Sequence, residues 1–567
     1  MQAVLIGINS KYIHTALGLR YVGEYAKSQG HSITLLEDTI NSQPLSVFEK
    51  IMDHKAKVYA FSVHIWNKLF VFKIVRMLKK LRPESIIVLG GPEVAFDVEK
   101  IFAELPACDY IIQGEGELVF SALLDALENG GSIPKHVAYK ENGFVNSNGG
   151  VTVINDLSIL PFPYPDLEKV LAENRIVYYE STRGCPFSCS YCLSGITKSV
   201  RKRPLDLVLR DLDRFIKAGA KLVKFVDRTY NLDENYYLPM LEHLAQAKTD
   251  ATFHLEVKAD ALSERVMQFL ATVPKGRFQM EIGIQSTNPP TLKAINRIDN
   301  WERLAANVKR LLSYKNMHIH VDLIAGLPYE SLKEFAKSFD DVYSLGADML
   351  QLGFLKVLPG TQIRQEDEEH GLKHTDEPPY EILATNYMSY EHMQLLRRLE
   401  NVFEQTANTG CFKNILRSLI KHSKLKPFEF YIELTKWWVA EGRYPQTHNV
   451  KGVAEIIAGY INEKFEGTER NLLLEILRFD VFNNINGWKP DWLHWKGQEI
   501  FEKTSGFWRD EEKVRSYIPN YKFSSWRTIH KNYPVELFFN NPETEDMGEF
   551  YYLIDNTDKG HVILLNL

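Results

Sequence analysis

Residues 175–193 read R-I-V-Y-Y-E-S-T-R-G-C-P-F-S-C-S-Y-C-L. The first seven form a β-rich run, and a loop carrying Cys185, Cys189 and Cys192 in CxxxCxxC spacing follows. Three soft thiolates in one short loop select zinc or iron–sulfur chemistry. A structural zinc site closes its tetrahedron with four protein ligands. No histidine occurs between His136 and His243, and the two other cysteines, Cys108 and Cys411, are far away in sequence. Three ligands and an open position suit a four-iron cluster with one iron left for a small molecule.

Downstream, the strand-like run at 175 opens a series. K-L-V-K-F-V, T-F-H-L-E-V, F-Q-M-E-I-G-I, I-H-V-D-L-I-A and L-Q-L-G-F-L-K-V follow, with helical stretches such as 205–218 and 332–344 between them. Six strands alternating with helices predict a partial barrel, open on one side, whose chemistry sits at the carboxyl ends of its strands. The cysteine loop leaves the first of those ends.

Upstream, residues 1–130 alternate short apolar runs (3–8, 32–37, 58–63, 85–89, 110–113) with helical segments such as 15–28 and 68–81. Short β-rich runs bounded by Gly, Asn or Asp read as buried parallel strands. Five such units predict a doubly wound α/β domain, its ligand lying over the strand ends where Asn9, Ser62–His64, Gly90–Gly91 and Gly114–Gly116 fall. Residues 131–170 turn Gly- and Asn-rich, then Pro-rich, and read as a hairpin-containing linker. After about 370 helices dominate, seven of nine tryptophans lie beyond 430, and the last stretch reads as a small terminal sheet. The expected divisions are 1–135, a linker 136–172, the barrel 173–370 and a C-terminal domain 371–567.

The composition narrows the setting. A chain of 567 residues with 45% apolar and 25% charged residues is long enough for several cores. A net charge of −6 gives no overall nucleic-acid footprint. Five cysteines, three clustered, fit a reducing compartment rather than a disulfide framework. No stretch reaches the ~18 apolar residues of a spanning helix, so a cytoplasmic protein without a membrane partner is expected. The basic run Lys198, Arg201, Lys202 and Arg203 reads as a solvated edge, and the stretch around Trp488, Trp492 and Trp495 as core.

The cysteine loop, with Tyr191 before its last cysteine, resembles that of the radical S-adenosylmethionine enzymes. The α/β domain ahead of it resembles the cobalamin-binding domain of one large subgroup, and the final ~200 residues look like a domain of unknown function that accompanies some of these proteins. The resemblance implies that Cys185, Cys189 and Cys192 bind three irons of a [4Fe–4S] cluster. The fourth iron would take S-adenosylmethionine, whose reductive cleavage yields a 5′-deoxyadenosyl radical that abstracts hydrogen from substrate. It further implies cofactor contacts from Tyr191, Asp227, Arg228, Glu256, Glu281, Gln285, Ser286, Asp322 and Gly326, with Lys258 and Lys356 at further strand ends. On the cobalamin side it points to Ser62, His64, Gly90 and Gly91. The family's D-x-H-x-x-G loop is missing. The corresponding loop reads N-S-K-Y-I-H-T-A-L-G, so His14 is a poor lower ligand for cobalt, and a cobalt without a protein imidazole beneath it is expected.

These readings favour a cobalamin-dependent methyltransferase acting on an unactivated centre, served by a reducing partner such as flavodoxin or ferredoxin. A cobalamin-independent radical cyclase or rearrangement enzyme, with the front domain docking its substrate, is one alternative. A non-enzymatic iron–sulfur or zinc scaffold is another.

Overall fold

The computed structural model describes all residues except 148–149, 486, 496, 520, 524, 557–560 and 567. The chain forms two compact units. One comprises Met1–Ser338, Leu345–Ala347 and Leu352–Met393; the other comprises Phe339–Ser344, Asp348–Gln351 and Gln394–Leu567.

The first unit holds two sheets. Strands β1 (Gln2–Asn9), β2 (Ser32–Thr39), β3 (Val58–Ser62), β4 (Ile86–Gly90) and β5 (Tyr110–Ile112) pair in parallel in the order β2-β1-β3-β4-β5. Their apolar runs are continuous because helices cover both faces. Seven of the eight residues of β1 are buried. Helix α1 (Leu17–Ser28) and helix α2 (Pro44–Met52) precede α3 (Lys68–Leu81), which buries Val71, Phe72, Ile74, Val75 and Leu78, one stripe at helical spacing. Helix α4 (Val98–Glu104) and helix α5 (Glu117–Asn129) complete the set. Gly130 ends α5 at φ +72°, a left-handed stop.

The hairpin expected in the linker is present as β6 (Val137–Glu141) and β7 (Phe144–Asn146), but it is not a spacer. Strand β6 pairs antiparallel with β5 and extends the first sheet to seven strands. The linker's Gly- and Asn-rich composition gave the hairpin away. The partner edge, supplied by a strand of only three residues, did not show in the sequence.

The second sheet runs β15-β14-β13-β12-β11-β8. Its strands are β8 (Val177–Tyr179), β11 (Leu222–Phe225), β12 (Thr252–Glu256), β13 (Phe278–Gln285), β14 (His318–Ala325) and β15 (Met349–Phe354). A short pair, β9 (Thr182–Arg183) and β10 (Arg201–Lys202), brackets the cysteine loop. Sequential order with helical crossovers is what βαβ units produce. The two faces differ in chemistry. Val177, Val223, Phe253, Met280 and Val321 are buried on one face, whereas Tyr178, Lys224, His254, Glu281 and His320 occupy the alternate positions. A final small pair, β16 (Lys373–His374) and β17 (Ile382–Ala384), also belongs to this unit, which therefore continues past residue 370.

The second unit is helical, with helices Tyr390–Thr406, Lys413–Ser423, Pro427–Ala440, Val450–Lys464 and Gly467–Asn484. It closes on a three-stranded antiparallel sheet of β18 (Val535–Asn540), β19 (Met547–Asp555) and β20 (His561–Leu565). Trp438 and Trp508 are its fully buried tryptophans, whereas Trp488, Trp492 and Trp495 are only half-buried. Among the described residues, no helix is long and apolar enough to cross a membrane.

Candidate active site

The cysteine loop is fixed at both ends by backbone. Cys185 N donates to the Thr197 carbonyl at 3.1 Å and Cys192 N to the Cys189 carbonyl at 3.1 Å. Ser190 N and O bond to Ile295 and Ile363 at 3.0 and 2.9 Å, tying the loop to neighbouring segments. Gly184 enters it at φ +90°, and a Cβ there would sit 2.2 Å from the Ser199 carbonyl. Only glycine fits. Cys185 is buried, whereas Cys189 and Cys192 are partly open. The remaining cysteines lie elsewhere: Cys108 is in the core of the first sheet and Cys411 is in the second unit.

The donor set suits a cluster better than a single ion. Sulfurs around one zinc, each at ~2.3 Å, lie about 3.8 Å apart. Among the described residues, these thiols are not one of the sets of three whose ligand atoms converge within 4.8 Å. Arg297 lies alongside. It donates to Asp299 at 2.5 Å and to the Gly283 carbonyl, and its charge faces both Cys189 and Tyr191. Burial pushes the Cys189 thiol up and Arg297 opposes it.

Next to the loop, a cavity of about 730 Å³ separates the carboxyl ends of the two sheets. The first sheet contributes glycines at strand ends, among them Gly7, Gly90, Gly91 and Gly114. At Gly91 φ is +105°, and a Cβ would lie 2.4 Å from the Val63 carbonyl. Backbone therefore lines this wall, leaving room for a bulky ligand to approach. Ser62 and His64 are on the same wall. Ser62 Oγ and His64 Nε2 are 2.8 Å apart, and the imidazole stacks on Trp66 with centroids 4.4 Å apart. Burial depresses His64 to about 4, so the ring is neutral. His14 reaches the cavity too, but its Nδ1 is 2.6 Å from Tyr178 OH of β8. Burial comes first, then Lys224, Lys11 and Arg175, in depressing His14.

Salt bridges join the two sheets beside the cavity. Arg183 meets Glu117 at 2.6 Å and Glu180 at 2.7 Å, and Arg201 meets Glu115 at 2.8 Å. Arg203 bonds Asp211 at 3.1 Å and the Leu157 and Leu160 carbonyls. The basic run is thus only half a solvated edge. Arg201 and Arg203 are buried and structural, and only Lys198 and Lys202 are exposed. The acidic partner of Arg201 lies 86 residues away in sequence, and that of Arg203, Asp211, is on the helix that follows.

The strand-end residues separate into two groups. Asp227 is fully buried, accepting from Ser181 N at 3.0 Å, Ser181 Oγ at 2.5 Å and Thr182 Oγ1 at 2.7 Å. Burial raises it to about 6. It braces the strand before the cysteine loop and offers nothing to a ligand. Ser286 is likewise internal, donating to Glu330 Oε1 at 2.5 Å. Gly326, at φ +87°, has Ile382 2.7 Å from where its Cβ would stand. Lys258 is engaged by Asp260 and Asp299, each at 2.6 Å.

The others stay on the polar face. Arg228 lines the cavity. Glu256 is pushed up to about 7 by burial and by Glu281, Asp227 and Asp322, against Arg228. Glu281 lies 3.0 Å from His254, whose bond holds it below the usual carboxylate range. Burial raises Asp322, 3.1 Å from His320. Gln285 sits at φ +71°, at a bulge where β13 meets β14.

With this geometry in hand, comparison with known proteins is decisive. Residues 3–124 match the B12 binding domain, residues 179–342 the Radical SAM superfamily, and residues 368–552 a protein of unknown function, DUF4080. Residues 3–124 therefore form a B12-binding domain and residues 179–342 a radical S-adenosylmethionine domain. Among its relatives is the uncharacterized methyltransferase PH0819 of Pyrococcus horikoshii, 26% identical over 61% of this chain and 77% of the relative. The cobalamin-dependent radical SAM methyltransferase TokK of Streptomyces tokunonensis is 25% identical over 56% of this chain, but the match spans about half of TokK (49%). In fold, the chain resembles OxsB with aqua-cobalamin and S-adenosylmethionine bound, at TM-score 0.60 and 17% identity, over 93% of this chain and 82% of that one. It also resembles TsrM of Kitasatospora setae, at TM-score 0.57 and 14% identity, over 67% and 82%. The cofactor set of these domains is a [4Fe–4S] cluster, S-adenosylmethionine and cobalamin.

Proposed function

We propose that the protein is a cobalamin-dependent radical S-adenosylmethionine methyltransferase that methylates an unactivated centre of a small molecule. The observation carrying this reading is one cavity walled on one side by glycines of the B12-binding domain and on the other by barrel residues beside the cysteine loop. Methyltransferases among the relatives support it.

When bound, the cofactors would supply hydrogen abstraction from the acceptor and the methyl group that replaces that hydrogen. The polypeptide supplies positions and exclusions. Cys185, Cys189 and Cys192 hold the cluster, and Arg297 places a fixed positive charge beside Cys189. Arg228, Glu256, Gln285 and Tyr191 lie where they can fix the sulfonium cofactor. Gly90, Gly91 and Ser62 leave space for the corrinoid tail. His64 keeps its Nε2 on Ser62 and His14 keeps its Nδ1 on Tyr178, so both rings are held in fixed orientations on the cavity wall. Flanking salt bridges such as Arg183–Glu117 close the cavity edge against water that would quench a radical. An electron donor such as flavodoxin or ferredoxin, in the cytoplasm, completes the scheme.

The test is anaerobic purification with hydroxocobalamin, iron counting, and product analysis with dithionite and S-adenosylmethionine. Both 5′-deoxyadenosine and S-adenosylhomocysteine should accumulate, the second only with corrinoid present. Deoxyadenosine without any corrinoid uptake would replace this reading by a cobalamin-independent one.

A further inference from the structure

The polar face of the second sheet gathers acidic and imidazole side chains from three adjacent strands. In register, Glu256 of β12 pairs with Glu281 of β13, and Glu281 with His320 of β14. Two residues further along β14, Asp322 lies opposite Gly283, which has no side chain to separate the two strands' polar groups. One ligand atom from each of Glu281, His320 and Asp322 converges to within 4.8 Å of the others. His254 Nε2, 3.0 Å from Glu281 Oε2, orients that carboxylate from behind, as outer partners of metal ligands do.

A second observation is independent of this convergence. Asp322 Oδ1 is buried with His320 Nε2 3.1 Å away, and Gln285 Oε1, on the neighbouring strand, is buried without a hydrogen-bond partner. Buried oxygens without donors are costly unless something positive binds them. The nearby cations are shared with other groups, and Arg297, which acts on Asp322, is one of them. Lys258 and Arg297 are both engaged by Asp299, and Arg228 acts on Glu256. Lys224, one layer below, acts on Glu281.

We propose that Glu281, His320 and Asp322 bind a divalent first-row cation on the inner face of the barrel. One imidazole nitrogen with two carboxylate oxygens suits manganese, iron(II) or zinc, and neither a soft thiophilic ion nor an all-oxygen magnesium cage. Three protein ligands leave coordination positions open. An oxygen or nitrogen donor of a bound molecule fills one of them, which makes the site a substrate anchor. Glu281 and Asp322 then act through the metal and are not direct contacts to S-adenosylmethionine. None of the three ligands is a cysteine, so metal binding here is measured separately from cluster iron.

The experiment is a Mn²⁺ titration of the full chain, anaerobically reconstituted with its cluster in the diamagnetic oxidised state. The six-line electron paramagnetic resonance signal of free Mn²⁺ gives the bound fraction. One ion per chain is expected, displaced by Zn²⁺. His320→Ala, Glu281→Gln and the near-isosteric Asp322→Asn should each weaken binding about tenfold or more, with iron content and circular dichroism unchanged. Cys189→Ala should leave the Mn²⁺ isotherm intact. The absence of saturable binding in the unaltered chain overturns the proposal, as does an isotherm that none of the three substitutions moves.

Discussion

Cys189→Ala removes one thiolate and leaves the cavity wall of the first sheet untouched, since that wall is backbone at Gly90 and Gly91. Deoxyadenosine formation should fall to background while hydroxocobalamin uptake, followed by absorbance, stays close to that of the unaltered chain. Gly91→Ala should do the reverse. Its φ of +105° and the 2.4 Å approach to the Val63 carbonyl make any side chain strained, roughly 1–3 kcal/mol from the backbone alone. Corrinoid uptake should drop and the urea midpoint should fall, with cluster iron retained. At this scale the sequence was most legible where chemistry and spacing coincide, as in the three cysteines and the paired glycines. It was least legible for Asp227 and Ser286. A strand-end polar residue looks the same whether it faces a ligand or a neighbour's hydroxyl, and here Ser181 and Glu330 claim them.

Among elements, the turn after β14 carries a buried acid that the proposed chemistry leaves unused. Glu330 accepts from Ser286 and Ser338 and is pushed up to about 8 by burial. Its folded form therefore keeps a proton that the unfolded chain has already lost above about pH 4.5. The stability it contributes is complete below that value and is lost progressively as pH rises toward 8. Glu330→Gln keeps the accepted hydrogen bonds and removes the titration. It should raise the melting temperature at pH 8, by a stability gain of about 1–3 kcal/mol, and change it little at pH 5. Thermal melts across that range check the sign. The strands and helices themselves were readable from period and length. The pairing of β6 with β5 was not, because a three-residue strand gives no pattern from which to choose its neighbour.

For the molecule as a whole, the boundary near 370 shows how far composition reaches. The shift to helix is real, yet helix Leu332–Tyr343 runs from one compact unit into the other, with Phe339 and Tyr343 in the second. There Phe339 packs edge-on to Phe403, Phe428 and Tyr431, with centroids 5.5–6.0 Å apart, and Tyr343 packs on Phe403 and Tyr431. A chain stopped after Met393 should expose these rings, and exposed aromatic clusters of this kind promote association. It should aggregate at concentrations where the full chain stays monodisperse by light scattering, and co-expression of residues 394–567 should restore solubility. Full solubility of the truncated chain would mean that Phe339 and Tyr343 do not depend on packing against Phe403, Phe428 and Tyr431.

Hydrophobic period and the three-cysteine spacing determined by themselves the two α/β series, their order and the cluster loop. Each of these depends on residues close in sequence. Only the tertiary structure decided which strand-end charges face the cavity, which arginines are structural, and that Glu281, His320 and Asp322 share one point. Those facts depend on strands brought side by side from distant stretches of chain, such as Glu281 opposite His320, and burial, not local pattern, sets the charge each group keeps.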